Sequence, residues 1–324
     1  MPCRTAPPQV FALDWLVGKS TQTPHRWPEI RELGPESDDF ARLMVLAQAI
    51  ITGYKDYARV GGRKDPGGLY YWILHKGEEW LRERVNFMRD TLGLETNSPL
   101  TPLLPDLTTF PPGSWAVRLT FTLRKPYLSR DDADFYILDN PVKKEWVFKV
   151  PYVAPSQWKG ALRAAMRRLR GYTTWEDEVQ DQQMVRLFGN VKGEDVDFSA
   201  GRLHFYPTFF DRIGLEVINP HPRATGAGDR PIYFECVPAD TSGVFTLLYV
   251  PLDAGPKDED TVKSDLKAVA RGIRAMLTEY GFGAKTSSGY GVADVDEKTI
   301  TINANGIVGA QDIFRQYFRG AQTM

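Results

Sequence analysis

Asp131, Asp132, Asp134 and Asp139 are followed within the next 31 residues by Lys159, Arg163, Arg167, Arg168 and Arg170. Carboxylates beside a cationic surface are suited to a polyanion. The cations hold phosphates, while a carboxylate helps deprotonate a hydroxyl or holds a divalent cation near a phosphate. RNA chemistry is the expectation this sets. The formal net charge is only −1, so a uniformly basic coat is excluded, but the charge is polarised. Residues 113–171 carry 12 Lys+Arg against 5 Asp+Glu, and residues 172–197 carry 2 against 7.

Other chemistries find less support. Cys3 and Cys236 are the two cysteines, too few for a disulfide framework or a cysteine-based zinc site. His25, His75, His204 and His221 are scattered and form no ligand pair at helical spacing. Lys285-Thr286 follows Ala284 where a Walker loop requires glycine, and glycines 281, 283, 289 and 291 do not have dinucleotide spacing. No run approaches the 18 or so apolar residues of a membrane span, and the first residues lack a signal peptide's apolar core, so a cytoplasmic protein is expected.

The elements that must position these residues follow from periodicity. Residues 1–37 are proline-rich and irregular; apolar residues recur at helical spacing over 38–58 and again over 69–92. A proline-rich stretch, 94–112, then reads as a linker. At Trp115 the period switches to alternation, with Val117, Leu119, Phe121 and Leu123 on one face, which predicts a half-buried strand. Ser156 is placed to cap a helix over 157–170, with Leu162, Ala165, Met166 and Leu169 on its buried stripe.

An acidic helical stretch (174–188), strands at 202–207 and 244–250, a loop between those strands, and a helix over 261–280 come next. Short strands near 292–295 and 299–302 and a helix around 311–318 complete the chain. From Trp115 onward the order is strand, helix, strand, strand, helix, strand. This predicts an α+β, ferredoxin-like (RNA-recognition-like) domain with an antiparallel sheet over 113–324, preceded by a helical N-terminal extension and linker over 1–112.

Three separated segments resemble the RAMP superfamily of CRISPR-associated proteins. Asp139-Asn-Pro-Val142 with Pro151 to Arg163 is similar to the family's acidic loop and Pro-x-Ser-x-x-Lys-Gly-x-x-Arg helix start. Arg186-Leu-Phe-Gly-Asn190 with Ala200-Gly-Arg-Leu-His-Phe205 resembles its Phe-Gly segment and small-Gly-Arg strand. Gly281 to Gly291 resembles its C-terminal glycine-rich loop. The resemblance spans about residues 113–296 and leaves residues 1–112 without a counterpart.

The resemblance implies an RNA-binding subunit of a type III CRISPR effector complex, with guide RNA, target RNA and other effector subunits as partners and no membrane. RNA contacts are expected from Lys159, Gly160, Arg163, Arg167, Gly283, Lys285, Thr286, Ser287, Ser288 and Gly289. Asp139 maps onto the cleavage aspartate of backbone subunits, which would make the chain an endoribonuclease with Mg2+ or another divalent cation as cofactor. On the residues alone, Asp139 is also placed to cap the turn before Pro141. The alternatives within the family are a non-catalytic capping or interaction subunit, suggested by Asn219-Pro220-His221 and the N-terminal extension, and a guide-RNA-processing endoribonuclease. Phe205 and Tyr206 offer a base-stacking platform or, more simply, core packing.

Overall fold

The computed structural model describes residues 81–83, 86, 104–131, 138, 140–190, 200–219, 232–252 and 257–320. The helices expected over 38–58 and 69–92 lie outside these residues, except that Leu81, Arg82, Glu83 and Asn86 are helical. The chain divides into two compact units, one of residues 85–128, 144–211 and 237–324, the other of residues 1–84, 129–143 and 212–236. No helix of the described residues is long and apolar enough to cross a membrane.

The larger unit is built on a four-stranded sheet. β1 (Trp115–Leu123) pairs antiparallel with β7 (Ser242–Tyr249) and β8 (Ala293–Ala304), and β3 (Leu203–Phe205) adds outside β7, giving the order β3-β7-β1-β8. With α1 (Pro155–Leu169) between β1 and β3 and α4 (Glu259–Ala275) between β7 and β8, this is the ferredoxin-like arrangement. Alternation in β1 buries Trp115, Val117, Leu119, Phe121 and Leu123. Helix α4 buries Val262, Leu266, Val269, Ala270 and Ile273, the larger side chains each worth about 1.5–3 kcal/mol when fully buried. Gly272 lets α4 approach α1, because a Cβ there would stand 2.6 Å from the Met166 side chain.

Several boundaries differ from the sequence reading. Helix α1 begins at Pro155 with Ala154 as N-cap, since proline's fixed φ and missing N–H suit the first helical position; Ser156 falls inside the first turn. The acidic stretch is two short helices, α2 (Trp175–Val179) and α3 (Gln182–Phe188), separated by Asp181, whose carboxylate caps α3 through the Gln183 and Met184 amides. The two C-terminal strands are one, β8, carrying a register shift where Thr299 Oγ1 accepts the Thr120 amide in place of a ladder bond. Helix α4 passes into a π turn at Met276–Tyr280, and the final helix α5 spans Ala310–Phe318.

The expected loop between β3 and β7 contains strands instead. Tyr152–Val153 (β2) pairs with Thr208–Phe209 (β4). In the smaller unit, β5 (Gly214–Ile218) and β6 (Ile232–Cys236) form an antiparallel pair. The open face of the main sheet is partly covered by the stretch expected to be a linker, whose Leu107, with Leu104 and Phe110, packs on Ala116, Leu248 and Val250. Asn305 Nδ2 donates to the carbonyls of Leu107 and Phe110 and holds that segment down. Tyr206 belongs to this cluster, and Phe205 meets Phe245 edge-on at 6.5 Å. Both aromatics are partly buried and pack in this way.

Candidate functional site

Helix α1 is anchored by Trp158, which is fully buried. Its ring lies 4.5 Å from that of Phe282 and 5.0 Å from that of Phe245, and its Nε1 donates to Thr208 Oγ1 at 3.1 Å. Fixing Trp158 inward sets the helix rotation. Lys159 is half-buried and Gly160 exposed, and a Cβ at Gly160 would meet nothing within 4 Å. Burial, and secondarily the Arg163 charge, hold the Lys159 ammonium below the ordinary lysine value.

The arginines on the same helix are engaged within the protein. Glu178 of α2, almost fully buried, takes Arg163 Nε on one oxygen and Arg167 Nε at 3.4 Å on the other. Arg167 also donates to the Thr174 carbonyl at 2.9 Å, and Arg170 pairs with Asp181 at 2.8 Å. The basic and acidic runs of the sequence therefore meet each other. Burying Glu178 unpaired would be costly, and the two guanidinium groups remove that cost.

The other side of α1 is lined by small residues. Gly160, Ala161 and Ala164 face Tyr280, Gly281, Phe282, Gly283 and Thr286 across a groove of about 360 Å³, with Gln157 and Arg168 also in its lining. The Arg168 guanidinium stacks over Tyr280 at 5.0 Å. Gln157 Oε1 accepts the Tyr127 hydroxyl at 2.8 Å. Tyr127 also sits against Gly283, where a Cβ would approach the Leu128 carbonyl to 2.4 Å. Glycine is thus required at 283 by both close approach and its φ of +93°.

The loop's apex is different. Lys285, Ser287 and Ser288 are exposed, Thr286 and Gly289 half-exposed, and Lys285 adopts a left-handed φ of 56°, a conformation costing a non-glycine residue of order 1 kcal/mol. The structure therefore brings Gly160, Gly283 and Thr286 to one groove, with Lys285 to Gly289 on the loop that carries Thr286; Lys159 is outside the groove's lining, four residues before Arg163, whose charge it feels. Arg163 and Arg167 are assigned to Glu178 instead. Arg168, Tyr280 and Gln157 line the groove without a sequence signal pointing there, although Arg168 stands in the basic run.

Arg186 and Gly201-Arg202, the middle segments of the resemblance, build a buried lock. Asp265 on α4 is completely buried and accepts Arg186 Nε at 2.9 Å and Nη2 at 2.7 Å, Gln183 Nε2 at 2.9 Å and the Tyr249 hydroxyl at 2.8 Å. Arg202 donates to that same hydroxyl at 2.8 Å. Burial, then the Asp265 charge, push the Tyr249 phenol up. Gly201 permits this junction because a Cβ would lie 2.4 Å from the Phe188 carbonyl carbon. The available signal for Asp265 is its place in an apolar helical stripe, between Val262 and Val269.

Asp132, Asp134, Asp139 and His221 lie outside the described residues. The flanks of Asp139 are described. Asn140 to Val142 are tied to β6, with the Val142 amide donating to Glu235 Oε2 at 3.1 Å, the Glu235 amide to the Asn140 carbonyl at 3.0 Å, and Glu235 itself fully buried. Among the described residues no group of three or more His, Cys, Asp or Glu is placed to hold a metal ion.

The family model described as "RAMP superfamily" matches residues 120–294, which is 175 of the 324 residues. The chain belongs to the RAMP superfamily. This RAMP chain is 28% identical over 182 residues to a Streptococcus thermophilus protein named CRISPR system Cms endoribonuclease Csm3, covering 52% of this chain and 80% of that protein. A chain in the cryo-EM structure of the Type III-B Cmr-beta bound to cognate target RNA aligns with a TM-score of 0.44 at 16% identity, over 90% of this RAMP chain and 99% of that one.

Proposed function

We propose that this RAMP chain is an RNA-binding subunit of a type III CRISPR effector complex and that it holds guide RNA in the groove between α1 and the glycine loop. The observation carrying this reading is the small-residue face of α1 opposite that loop. Gly160, Ala161 and Ala164 leave room for a sugar-phosphate backbone to approach the helix. Lys285 at the loop apex supplies charge for sequence-independent phosphate contacts, and Lys159 near the helix start, outside the groove's lining, offers a further one where the RNA leaves the groove. Thr286, Ser287 and Ser288 add hydroxyl donors, with Gly283 and Gly289 shaping the loop. The name of the streptococcal relative supports the placement in a CRISPR system.

The test is native purification followed by identification of bound RNA and co-purifying proteins. Short RNA of defined ends and partner effector subunits are expected; a chain that carries no RNA at low salt contradicts the reading.

Cleavage of paired target RNA through Asp139 is a second reading, favoured by the endoribonuclease name of the relative and by the Asp139-Asn140-Pro141-Val142 segment. In the reconstituted complex, Asp139→Ala is expected to abolish cuts assigned to this subunit while leaving RNA binding in place. Unchanged cleavage would leave a non-cutting capping or interaction subunit.

A further inference from the structure

The turn at residues 144–151 presents a tryptophan that neither the core nor the groove uses. Trp146 is 85% exposed and Val147 beside it 70%. Single exposed apolar residues are ordinary, but tryptophan has the largest apolar surface to bury, and this one is held out by an ordered turn. The Glu145 amide donates to the Val150 carbonyl at 2.8 Å and the Lys149 amide to the Glu145 carbonyl at 3.0 Å. Glu145 Oε2 accepts both the Val147 amide (2.8 Å) and the Phe148 amide (2.6 Å). Lys144 and Pro151 close the turn with an antiparallel bridge, and Lys149 takes a left-handed φ of 58°.

The surrounding charge identifies the class of occupant. Residues 143–149 contain three lysines and one glutamate, and that glutamate's carboxylate is directed at backbone amides. Lys149 Nζ lies 5.3 Å from the Trp146 ring centroid. The ammonium sits over one face of an indole that is otherwise exposed, and aromatic surface with a cation this close matches a nucleobase attached to phosphates, since every base has a π-face to stack and each phosphate a charge to meet.

We propose that the Trp146 indole is a stacking platform for an unpaired base of RNA bound by this chain, with a neighbouring phosphate beside Lys149. This rests on the RNA-binding reading and adds an RNA contact outside the groove. Aromatic–base stacking removed by alanine corresponds to a roughly 5- to 150-fold loss of affinity.

The test uses the full chain with a single-stranded RNA carrying 2-aminopurine at successive positions. Wild-type protein is expected to quench one position, and Trp146→Ala to relieve that quenching and weaken binding within the range above. Trp146→Tyr should retain most of both effects. Replacing that base with an abasic site should make wild-type and Trp146→Ala bind alike. An unchanged thermal midpoint in Trp146→Ala, expected for so exposed a side chain, separates stacking from folding. If wild type binds RNA but Trp146→Ala matches it in affinity and quenching, the stacking proposal fails and the RNA-binding reading stands. If wild type binds no RNA at low salt, both fail. If Trp146→Ala leaves RNA affinity intact but abolishes self-association in sedimentation, Trp146 belongs to an interface between copies, and the proposal is overturned.

Discussion

The two sides of α1 differ in what meets them. Arg163, Arg167 and Arg170 lie on a side whose charge is met by Glu178 and Asp181, so the most basic part of the helix is glue between α1, α2 and α3. Gly160, Ala161 and Ala164 form the side that opens onto the glycine loop. A surface for RNA backbone needs access before it needs many charges, because a phosphate contact requires the chain to come within hydrogen-bond distance. On the proposed reading, the densest charge of the sequence, Arg168 apart, lies on the side of α1 that faces α2 and α3 and not on the groove side.

The largest effect expected from challenging this division is at the buried lock. Asp265→Asn leaves Arg186 and Arg202 without their buried carboxylate and should destabilise the chain by about 3–5 kcal/mol, read as a lower urea midpoint, while folded protein keeps its RNA affinity. Glu178→Gln comes next. Its arginine partners are 23% and 34% exposed, so water screens part of the loss, and about 2 kcal/mol is expected. RNA affinity should not fall. A fall in affinity without a loss of stability would move the arginine side into the binding site.

The reverse pattern is expected at Gly160. The open space around it means that Gly160→Leu should fold, with a helix gain of about 0.5–1 kcal/mol over glycine. The added side chain should block backbone approach and weaken RNA binding about tenfold, equivalent to about 1.4 kcal/mol. Unchanged affinity in an anisotropy titration would remove the groove from the account.

The ferredoxin-like order is legible in the sequence because its strands and helices keep their periods: β1 alternates strictly, and α4 repeats its apolar residues at three and four. Short elements are less so. β5 and β6 have no clean alternation, with Val217 and Ile232 partly exposed, and their pattern is that of a loop. Lys159, Gly160 and the glycine loop are recognisable from local motifs, but the pairing of Arg163 with Glu178 depends on how α2 folds back, which no local pattern encodes. Asp265 leaves a trace as a charge inside an apolar stripe; its partners on α3, just before β3 and on β7 become visible only in three dimensions.

A smaller effect is expected from pH. Partial burial, and then the Lys159 charge, hold His204 on β3 below the ordinary histidine value. Its folded value lies below its unfolded one, so the associated stability is present above the unfolded value near pH 6.5 and is lost as pH falls from there through the folded value. RNA phosphate beside Lys159 would favour protonated His204, so RNA affinity should rise over the same window. His204→Gln should flatten both profiles; an unchanged affinity profile would separate His204 from the RNA path.

The salt dependence of RNA binding tests the division of α1 most directly. Removing one phosphate contact to a single strand should reduce the slope of log affinity against log salt by about 0.7. Lys285→Ala is expected to show that reduction, and Arg163→Ala and Arg167→Ala to keep the wild-type slope under conditions where they remain folded. A reduced slope in the two arginine variants, with Lys285→Ala unchanged, would contradict the account.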